Sequence, residues 1–99
     1  MVEDNLSSNT DLLFQAIDHF GIDRQCICTI EELAELQKEL TKLLKHEGDL
    51  QHIAEEIADC EIMIAQIKLI FHLEDIVHKY HIVKLQRLNN WLNKKEEQL

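Results

Sequence analysis

The feature that most restricts the fold of this chain is its lack of helix breakers. Its 99 residues contain no proline and only two glycines, Gly21 and Gly48, so very little in the sequence interrupts a helix. Leucine, isoleucine, glutamate, glutamine and lysine are abundant, and all of these are compatible with helices. The composition therefore predicts an all-α fold, and the length predicts one domain.

Apolar spacing and end signals predict four antiparallel helices joined by short turns. Gly21 is expected to end the first helix, and Asp23 to cap the second. Gly48 is expected to stop the second helix, and Asp49 to cap the third. Asn9, Thr10 or Asp11 is expected to cap the first helix, and the second helix is expected to run from its cap at Asp23 to about residue 46. The third and fourth are expected over about residues 50–72 and 73–95. The single domain spans residues 9–95, with a loose tail at 1–8 and a frayed end at 96–99.

The inward faces of the second and third helices are predicted from leucine and isoleucine at spacings of three and four. On the second helix this stripe comprises Ile30, Leu33, Leu36, Leu40, Leu43 and Leu44. The C-terminal half of the third helix, about residues 60–72, is apolar nearly all round, which is typical of a helix buried on several sides. A chain this short has little material to cover such a helix, so we expect a second copy to complete the bundle.

Charge narrows the range of partners. The net charge is −9, which argues against binding to nucleic-acid polymers. Residues 1–73 carry 15 acids and 5 bases, whereas residues 74–99 carry 4 acids and 5 bases. Charged residues interrupt the longest apolar run, around residues 57–71, so no membrane span is expected.

Three cysteines, an odd number, favour free thiols in a reducing compartment. Cys26 and Cys28 point to different sides of a helix, which makes them a poor pair for a disulfide or a metal. The acidic N-terminus has no signal-peptide pattern. A cytoplasmic protein is therefore expected.

Two pairs of acids are the strongest chemical signal. Glu32 and Glu35 are three residues apart, as are Glu56 and Asp59, so each pair lies on one helix face. On antiparallel helices the two pairs would converge. Two like charges ~4 Å apart cost about 4 kcal/mol at an effective dielectric of 20. A cation would relieve that repulsion, and oxygen ligands favour Mg²⁺, with Mn²⁺ as the alternative.

Other interpretations of these polar residues stay open at this point. A single acid pair is commonly a solvated helix face. Lys84 and Arg87 are candidate phosphate ligands, but Lys84 is equally compatible with an extended surface side chain and Arg87 with a surface ion pair. The spacing of Asp75, His78 and His81 resembles transition-metal ligands, yet the Glu-x-x-His pairs of di-iron bundles are missing.

Taken together, the motifs resemble a known family. Residues 31–35 (EELAE) and 56–59 (EIAD) match the EExxE…ExxD pattern of the MazG-like nucleotide pyrophosphohydrolases, in the all-α NTP pyrophosphatase superfamily. Residues 20–25 resemble the segment that precedes the first motif, and residues 84–88 (KLQRL) resemble the closing helix. The resemblance covers about residues 12–92.

The resemblance implies Mg²⁺-dependent hydrolysis of a nucleoside triphosphate between the α and β phosphates, giving a monophosphate and pyrophosphate. Many members of the family remove noncanonical or surplus nucleotides and assemble as dimers or dimers of dimers. The implied metal ligands are Glu32, Glu35, Glu56 and Asp59. The implied catalytic residues are Glu31, which lies outside the metal ligands or helps to orient water, Glu35, and Lys84 and Arg87, which hold phosphate. His81 stands where many relatives carry Asn, which makes it a candidate substrate contact.

A non-catalytic function is the alternative. An oligomeric helical bundle would use its apolar third helix to bind a partner, and its acids would form a solvated face or a regulatory cation site. This alternative predicts no stabilisation by Mg²⁺.

Overall fold

The computed structural model describes residues 9–97, and their side chains as far as Lys94. The prediction of an all-α fold with four helices is confirmed, and residues 9–97 contain no strand. The helices are α1 (Thr10–Phe20), α2 (Ile22–Leu44), α3 (Leu50–Ile70) and α4 (Glu74–Glu97). The predicted loose tail at residues 1–8, and residues 98–99 of the predicted frayed end, lie outside the described residues.

A single glycine separates α1 from α2. Gly21 has φ 90° and ψ 157°, and its N–H donates to the Ile17 carbonyl at 2.8 Å. Only glycine adopts this backbone conformation without strain, and the predicted end of α1 is confirmed. The predicted cap at Asp23 is wrong, because α2 begins at Ile22 and Asp23 lies inside its first turn. Its negative charge there still favours the N-terminal end of the helix.

The turn between α2 and α3 follows the prediction at one end only. Asp49 caps α3, and its carboxylate accepts a hydrogen bond from the Gln51 N–H at 2.8 Å. The left-handed residue after α2 is His46, with φ 62°, rather than Gly48. Gly48 is required for a different reason: a Cβ there would lie 2.7 Å from backbone atoms of Leu43. The chain therefore passes too close to the end of α2 for any side chain.

Helices α2 and α3 form an antiparallel pair, and α1 packs against both of them. Contacts at three levels fix the register of the pair, namely Gln25–Gln66, Glu32–Cys60 and Glu39–His52. Leu13 of α1 is buried with Ala65 and Leu69 of α3, and Ile17 packs against this cluster. The buried core is therefore small and lies at the end of the pair nearest α1.

The inward face of α2 differs from the prediction. Four residues of its apolar stripe are exposed, namely Ile30, Leu33, Leu40 and Leu44, whereas Gln25, Thr29 and Glu39 are buried. Gln25 Nε2 donates to Gln66 Oε1 at 2.7 Å, and the Thr29 hydroxyl donates to the Gln25 carbonyl. Polar side chains can occupy this seam because they satisfy one another there. Most of the apolar stripe is left facing away from α3.

Helix α4 projects from the rest of the protomer. Every side chain described from residue 78 to residue 94 is exposed, and α4 contacts α3 only sparsely. The radius of gyration is 17.0 Å, whereas a compact chain of this length has about 13 Å. No helix among the described residues combines the length and hydrophobicity needed to cross a bilayer.

Candidate metal centre

Three carboxylates meet in the seam between α2 and α3. Glu32 comes from α2, while Glu56 and Asp59 come from one face of α3, and one ligand oxygen from each lies within 4.8 Å of the others. The Cys60 thiol donates to the Glu32 backbone carbonyl at 3.3 Å. This bond ties the two helices at the level of the acids. We call these three residues the acid cluster.

One oxygen of the acid cluster has lost water without gaining a partner. Glu56 Oε2 is buried and accepts no hydrogen bond from the described residues. Glu56 and Glu32 are half-buried, whereas Asp59 is exposed. Leaving a buried carboxylate oxygen unpaired costs about 1–3 kcal/mol or more. A cation entering from the exposed Asp59 side would satisfy this oxygen.

The electrostatics of the acid cluster also favour a bound cation. Burial, followed by the negative charges of Asp59 and Glu56, raises the pKa of the Glu32 carboxyl above its ordinary value of 4.5. Burial and the three neighbouring carboxylates also raise the pKa of the Cys60 thiol above 9.0. Cys60 therefore stays protonated at neutral pH and acts as a hydrogen-bond donor rather than as a thiolate ligand.

The donor set fits a hard divalent cation. All three converging ligands are carboxylates, and oxygen ligands suit Mg²⁺ or Mn²⁺ rather than Zn²⁺ or copper. Mg²⁺ is commonly bound by a few carboxylates, with waters and substrate phosphates completing its octahedron. Three carboxylates that open to solvent at Asp59 leave room for those additional ligands.

The fourth predicted ligand lies outside the acid cluster. Glu35 is exposed, one turn of α2 beyond Glu32, and it is not among the carboxylates that converge within 4.8 Å. Glu31, the predicted outer acid, is also exposed. The structure therefore brings together three of the four predicted ligands and leaves Glu31 and Glu35 at the solvent side.

The predicted phosphate-binding residues lie on α4, whereas the acid cluster lies on α2 and α3. Lys84, Arg87 and His81 all lie on exposed positions of α4. Among the described residues, neither Lys84 nor Arg87 forms an ion pair with a carboxylate.

Two features of the seam are missed by the motif-based prediction. Cys60 adjoins Asp59 and bonds to Glu32, and the buried Gln25–Gln66 pair lies further along the same seam. The sequence spacing could have indicated them, because Gln66 lies seven residues after Asp59 and therefore on the same side of α3. Without the register of the partner helix, that spacing does not distinguish a buried glutamine from a solvated one.

Comparison of the chain with protein-family models, curated proteins and solved structures finds no match. The fold and the site define an all-α, four-helix protein with a convergent acid cluster. The likeness to the MazG-like enzymes rests on the motifs alone.

Proposed function

We propose that this chain is a Mg²⁺-dependent nucleoside triphosphate pyrophosphohydrolase that cleaves between the α and β phosphates. The observation that carries the proposal is the acid cluster with its buried, unpartnered Glu56 oxygen. Crowded carboxylates destabilise a fold unless a cation or a shared proton compensates their charge. The resemblance of residues 31–35 and 56–59 to the pyrophosphohydrolase motifs supplies the reaction class.

In this proposal Glu32, Glu56 and Asp59 hold the metal. When bound, Mg²⁺ neutralises phosphate charge and lowers the pKa of a coordinated water. The exposed position of Asp59 admits the triphosphate, and the half-buried positions of Glu32 and Glu56 keep their carboxylates fixed in the seam. The thiol of Cys60 holds the backbone at Glu32 in place and takes no part in the chemistry.

Glu31 and Glu35 are the proposed groups that orient the attacking water. Both are exposed on α2 next to Glu32, so both can reach a ligand bound at the solvent side of the acid cluster. A carboxylate in this position accepts a hydrogen bond from water and takes its proton during attack. Glu35 also remains the proposed fourth ligand once a cation is bound.

Lys84 and Arg87 are proposed to hold the phosphates, and His81 to contact the substrate. Guanidinium and ammonium groups stabilise charge on a departing pyrophosphate. These residues lie on α4, which projects from the protomer, so we propose that they act within a homodimer or a dimer of dimers.

The direct test is pyrophosphate release from a panel of nucleoside triphosphates with Mg²⁺. The wild-type chain should release pyrophosphate and monophosphate in equal amounts. Glu56→Gln combined with Asp59→Asn should lower the rate about 100-fold or more, the scale seen when groups that stabilise developing charge are removed. Glu55→Gln is the matched control, because Glu55 adjoins Glu56 but is exposed and outside the acid cluster. Full activity in the double variant would refute the assigned roles.

A non-catalytic oligomeric bundle is the second candidate function. It is favoured by the many exposed apolar side chains of α2, α3 and α4, which resemble an interaction surface. Absence of pyrophosphate release from every nucleotide, together with no stabilisation by Mg²⁺, would favour it over the enzyme.

A further inference from the structure

A buried pair of amide side chains crosses the seam between α2 and α3. Gln25 and Gln66 are 5% and 3% exposed, and Gln25 Nε2 donates to Gln66 Oε1 at 2.7 Å. Two leucines would fill the same place without polar groups to satisfy, so burying two amides is a poor way to gain stability. Buried polar pairs are best known for fixing how two helices align, as asparagine does in coiled coils. The amide pair is therefore a candidate for a positioning role.

Of the three contacts that cross this seam at different levels, the amide pair is the most selective for one rotation of α2. The Cys60 thiol bonds to the backbone carbonyl of Glu32, and every residue of α2 offers such a carbonyl. His52 Nδ1 lies 3.9 Å from Glu39 Oε1, beyond hydrogen-bond distance, and the His52 side chain is 61% exposed. Among the three, the amide pair is the contact that is short, buried and made by two side chains.

The sequence of α2 offers α3 a second, more apolar side. Four leucines and isoleucines along this side are exposed, namely Ile30, Leu33, Leu40 and Leu44. Leu33 and Leu40 each follow by one position an acid of the seam, Glu32 and Glu39 respectively. One residue corresponds to about 100° around a helix. A rotation of α2 by about 100° would therefore bury this stripe against α3, and the hydrophobic effect favours that burial.

Such a rotation would dismantle the acid cluster. Glu32 would leave the seam, Leu33 would take its place opposite Cys60, and the acid cluster would lose the ligand that α2 provides. Mg²⁺ requires nearly ideal octahedral geometry and is bound through few carboxylates. The loss of one carboxylate out of three would therefore weaken cation binding.

The amide pair opposes this rotation and acts on the helix faces that carry the acids. A rotated α2 would carry Gln25 away and leave the Gln66 amide buried without its partner, which is costly. Gln25 lies seven residues before Glu32, and Gln66 lies seven residues after Asp59. Seven residues span roughly 10 Å and return a side chain to within about 20° of the same side. The hydrogen bond thus sets both helices at the rotation that brings Glu32 to Asp59.

We propose that Gln25 and Gln66 are positioning residues for the acid cluster: their hydrogen bond holds α2 at the rotation that brings the three carboxylates together. They touch neither cation nor substrate. The consequence for Mg²⁺ binding rests on the proposed function, whereas the choice between the two rotations of α2 is a property of the folded chain with or without metal.

The first test separates stability from metal binding. Gln25→Leu combined with Gln66→Leu, the leucine pair, should still unfold cooperatively in urea, because it leaves no polar group unpaired. Its affinity for Mg²⁺ should nevertheless fall about tenfold or more, the scale seen when residues that orient metal ligands are replaced. Isothermal titration calorimetry measures this affinity. A leucine pair that binds Mg²⁺ as tightly as the wild type would overturn the proposal.

Thr29→Val is the matched control. Thr29 is buried in the same seam, but its hydroxyl donates to the Gln25 carbonyl within α2. The substitution makes the seam more apolar and leaves the hydrogen bond between the helices in place, so the Mg²⁺ affinity should equal that of the wild type. An equal loss in Thr29→Val would assign the effect to the polarity of the seam and overturn the role of the amide pair.

A methionine pair at the same two positions replaces the leucine pair if the leucine pair does not fold. Methionine is unbranched, adapts to irregular gaps and is close to glutamine in length. It removes the hydrogen bond as leucine does, so the same loss of Mg²⁺ affinity is expected. Wild-type affinity in a folded methionine pair would equally overturn the proposal.

The second test detects the rotated helix directly and needs no metal. Leu33→Cys is placed in a chain whose Cys26 and Cys28 are replaced by serine, so that Cys60 is the partner for a disulfide. With the leucine pair, the introduced thiol should face Cys60, and the disulfide should form faster under mild oxidation than it does with the glutamine pair. Mass spectrometry follows its formation. Equal rates in the two backgrounds would refute the control of rotation by the amides.

The two tests keep this proposal separate from the proposed function. If the wild type binds no Mg²⁺ but the leucine pair still accelerates the disulfide, the enzyme assignment fails and the positioning role of the amides stands. If the wild type binds Mg²⁺ but the disulfide rates are equal, the positioning role fails and the proposed function is unaffected.

Discussion

At the scale of single residues, Glu32 shows the strongest conflict between folding and charge. Its raised pKa means that the folded chain holds the proton more tightly than the unfolded chain does. The contribution of Glu32 to stability is thus fully present below pH 4.5 and is lost as the pH rises through its folded-state pKa. In metal-free protein at neutral pH, the Glu32 carboxylate opposes folding.

Glu32→Gln should therefore stabilise the metal-free protein at neutral pH. The substitution removes the repulsion of Glu32 by Glu56 and by Asp59. At 4–5 Å in a water-like dielectric, each repulsion removed should add about 1 kcal/mol to the free energy of unfolding. At about pH 4 the gain should disappear, because the carboxyl is then protonated in both states. Urea unfolding followed by circular dichroism at both pH values measures it. Glu31→Gln is the control, because Glu31 is exposed, and its free energy of unfolding should change little. If Glu32→Gln and the wild type are equally stable at neutral pH, the repulsion is contradicted.

The Gln25–Gln66 hydrogen bond is the other informative pair at this scale. Both side chains are buried, and Gln66→Ala removes one partner while leaving a cavity. We expect a loss of about 1–3 kcal/mol in the free energy of unfolding from the unpaired Gln25 amide alone. Replacing both residues by leucine should recover part of that loss, because no polar group is then left unpaired.

A double-mutant cycle in urea checks this coupling. Gln86→Ala is the comparison at an exposed site, where the Gln86 amide donates to Asn90 Oδ1, and it should change stability by less than about 0.5 kcal/mol. Additive losses at Gln25 and Gln66 would show that the two amides do not depend on each other.

At the scale of the elements, α3 depends on its first turn. Asp49 accepts the Gln51 N–H and so satisfies one of the free donors at the start of the helix. Asp49→Ala should cost about 1 kcal/mol, whereas Asp49→Asn should preserve most of the stability because its amide oxygen can accept the same bond. Thermal unfolding of the three proteins at one concentration tests this. Equal losses for both variants would assign the effect to charge rather than to capping.

At the scale of the whole molecule, the acid cluster should couple stability to divalent cations. A cation present at 100 times its Kd adds about 2.7 kcal/mol to the free energy of unfolding. Mg²⁺ should therefore raise the melting temperature, and EDTA should reverse the rise. The effect should be lost in the Glu56→Gln, Asp59→Asn double variant and retained in Glu55→Gln. A rise that persists in the double variant would place the cation elsewhere.

The open shape of the protomer has a consequence for melting. If folding and association are linked, the melting temperature of the metal-free chain depends on protein concentration. Tenfold dilution should therefore lower the melting temperature of the wild-type chain measurably. Differential scanning calorimetry over a concentration series measures this, and a concentration-independent wild type would contradict linked assembly.

Local chemistry was sufficient to predict the helices. Gly21 is the positive-φ residue that ends α1 and Asp49 is the cap of α3, as expected, because these two ends depend on one residue and its immediate neighbours, whereas the expected cap at Asp23 lies inside α2. The convergence of Glu32 with Glu56 and Asp59 also follows from spacing, since two antiparallel helices joined by a short turn bring matching positions together.

The buried side of α2 depended on more than its own periodicity. Its leucine stripe is apolar enough to be a core face, yet Gln25, Thr29 and Glu39 occupy the seam and most of the stripe faces outward. Likewise Glu35 belongs to the same motif as Glu32 but lies outside the acid cluster. Burial is a property of two surfaces in contact, so a few degrees of helix rotation, set by contacts such as Gln25–Gln66, determine which residues meet. Spacing along one helix carries no information about that rotation.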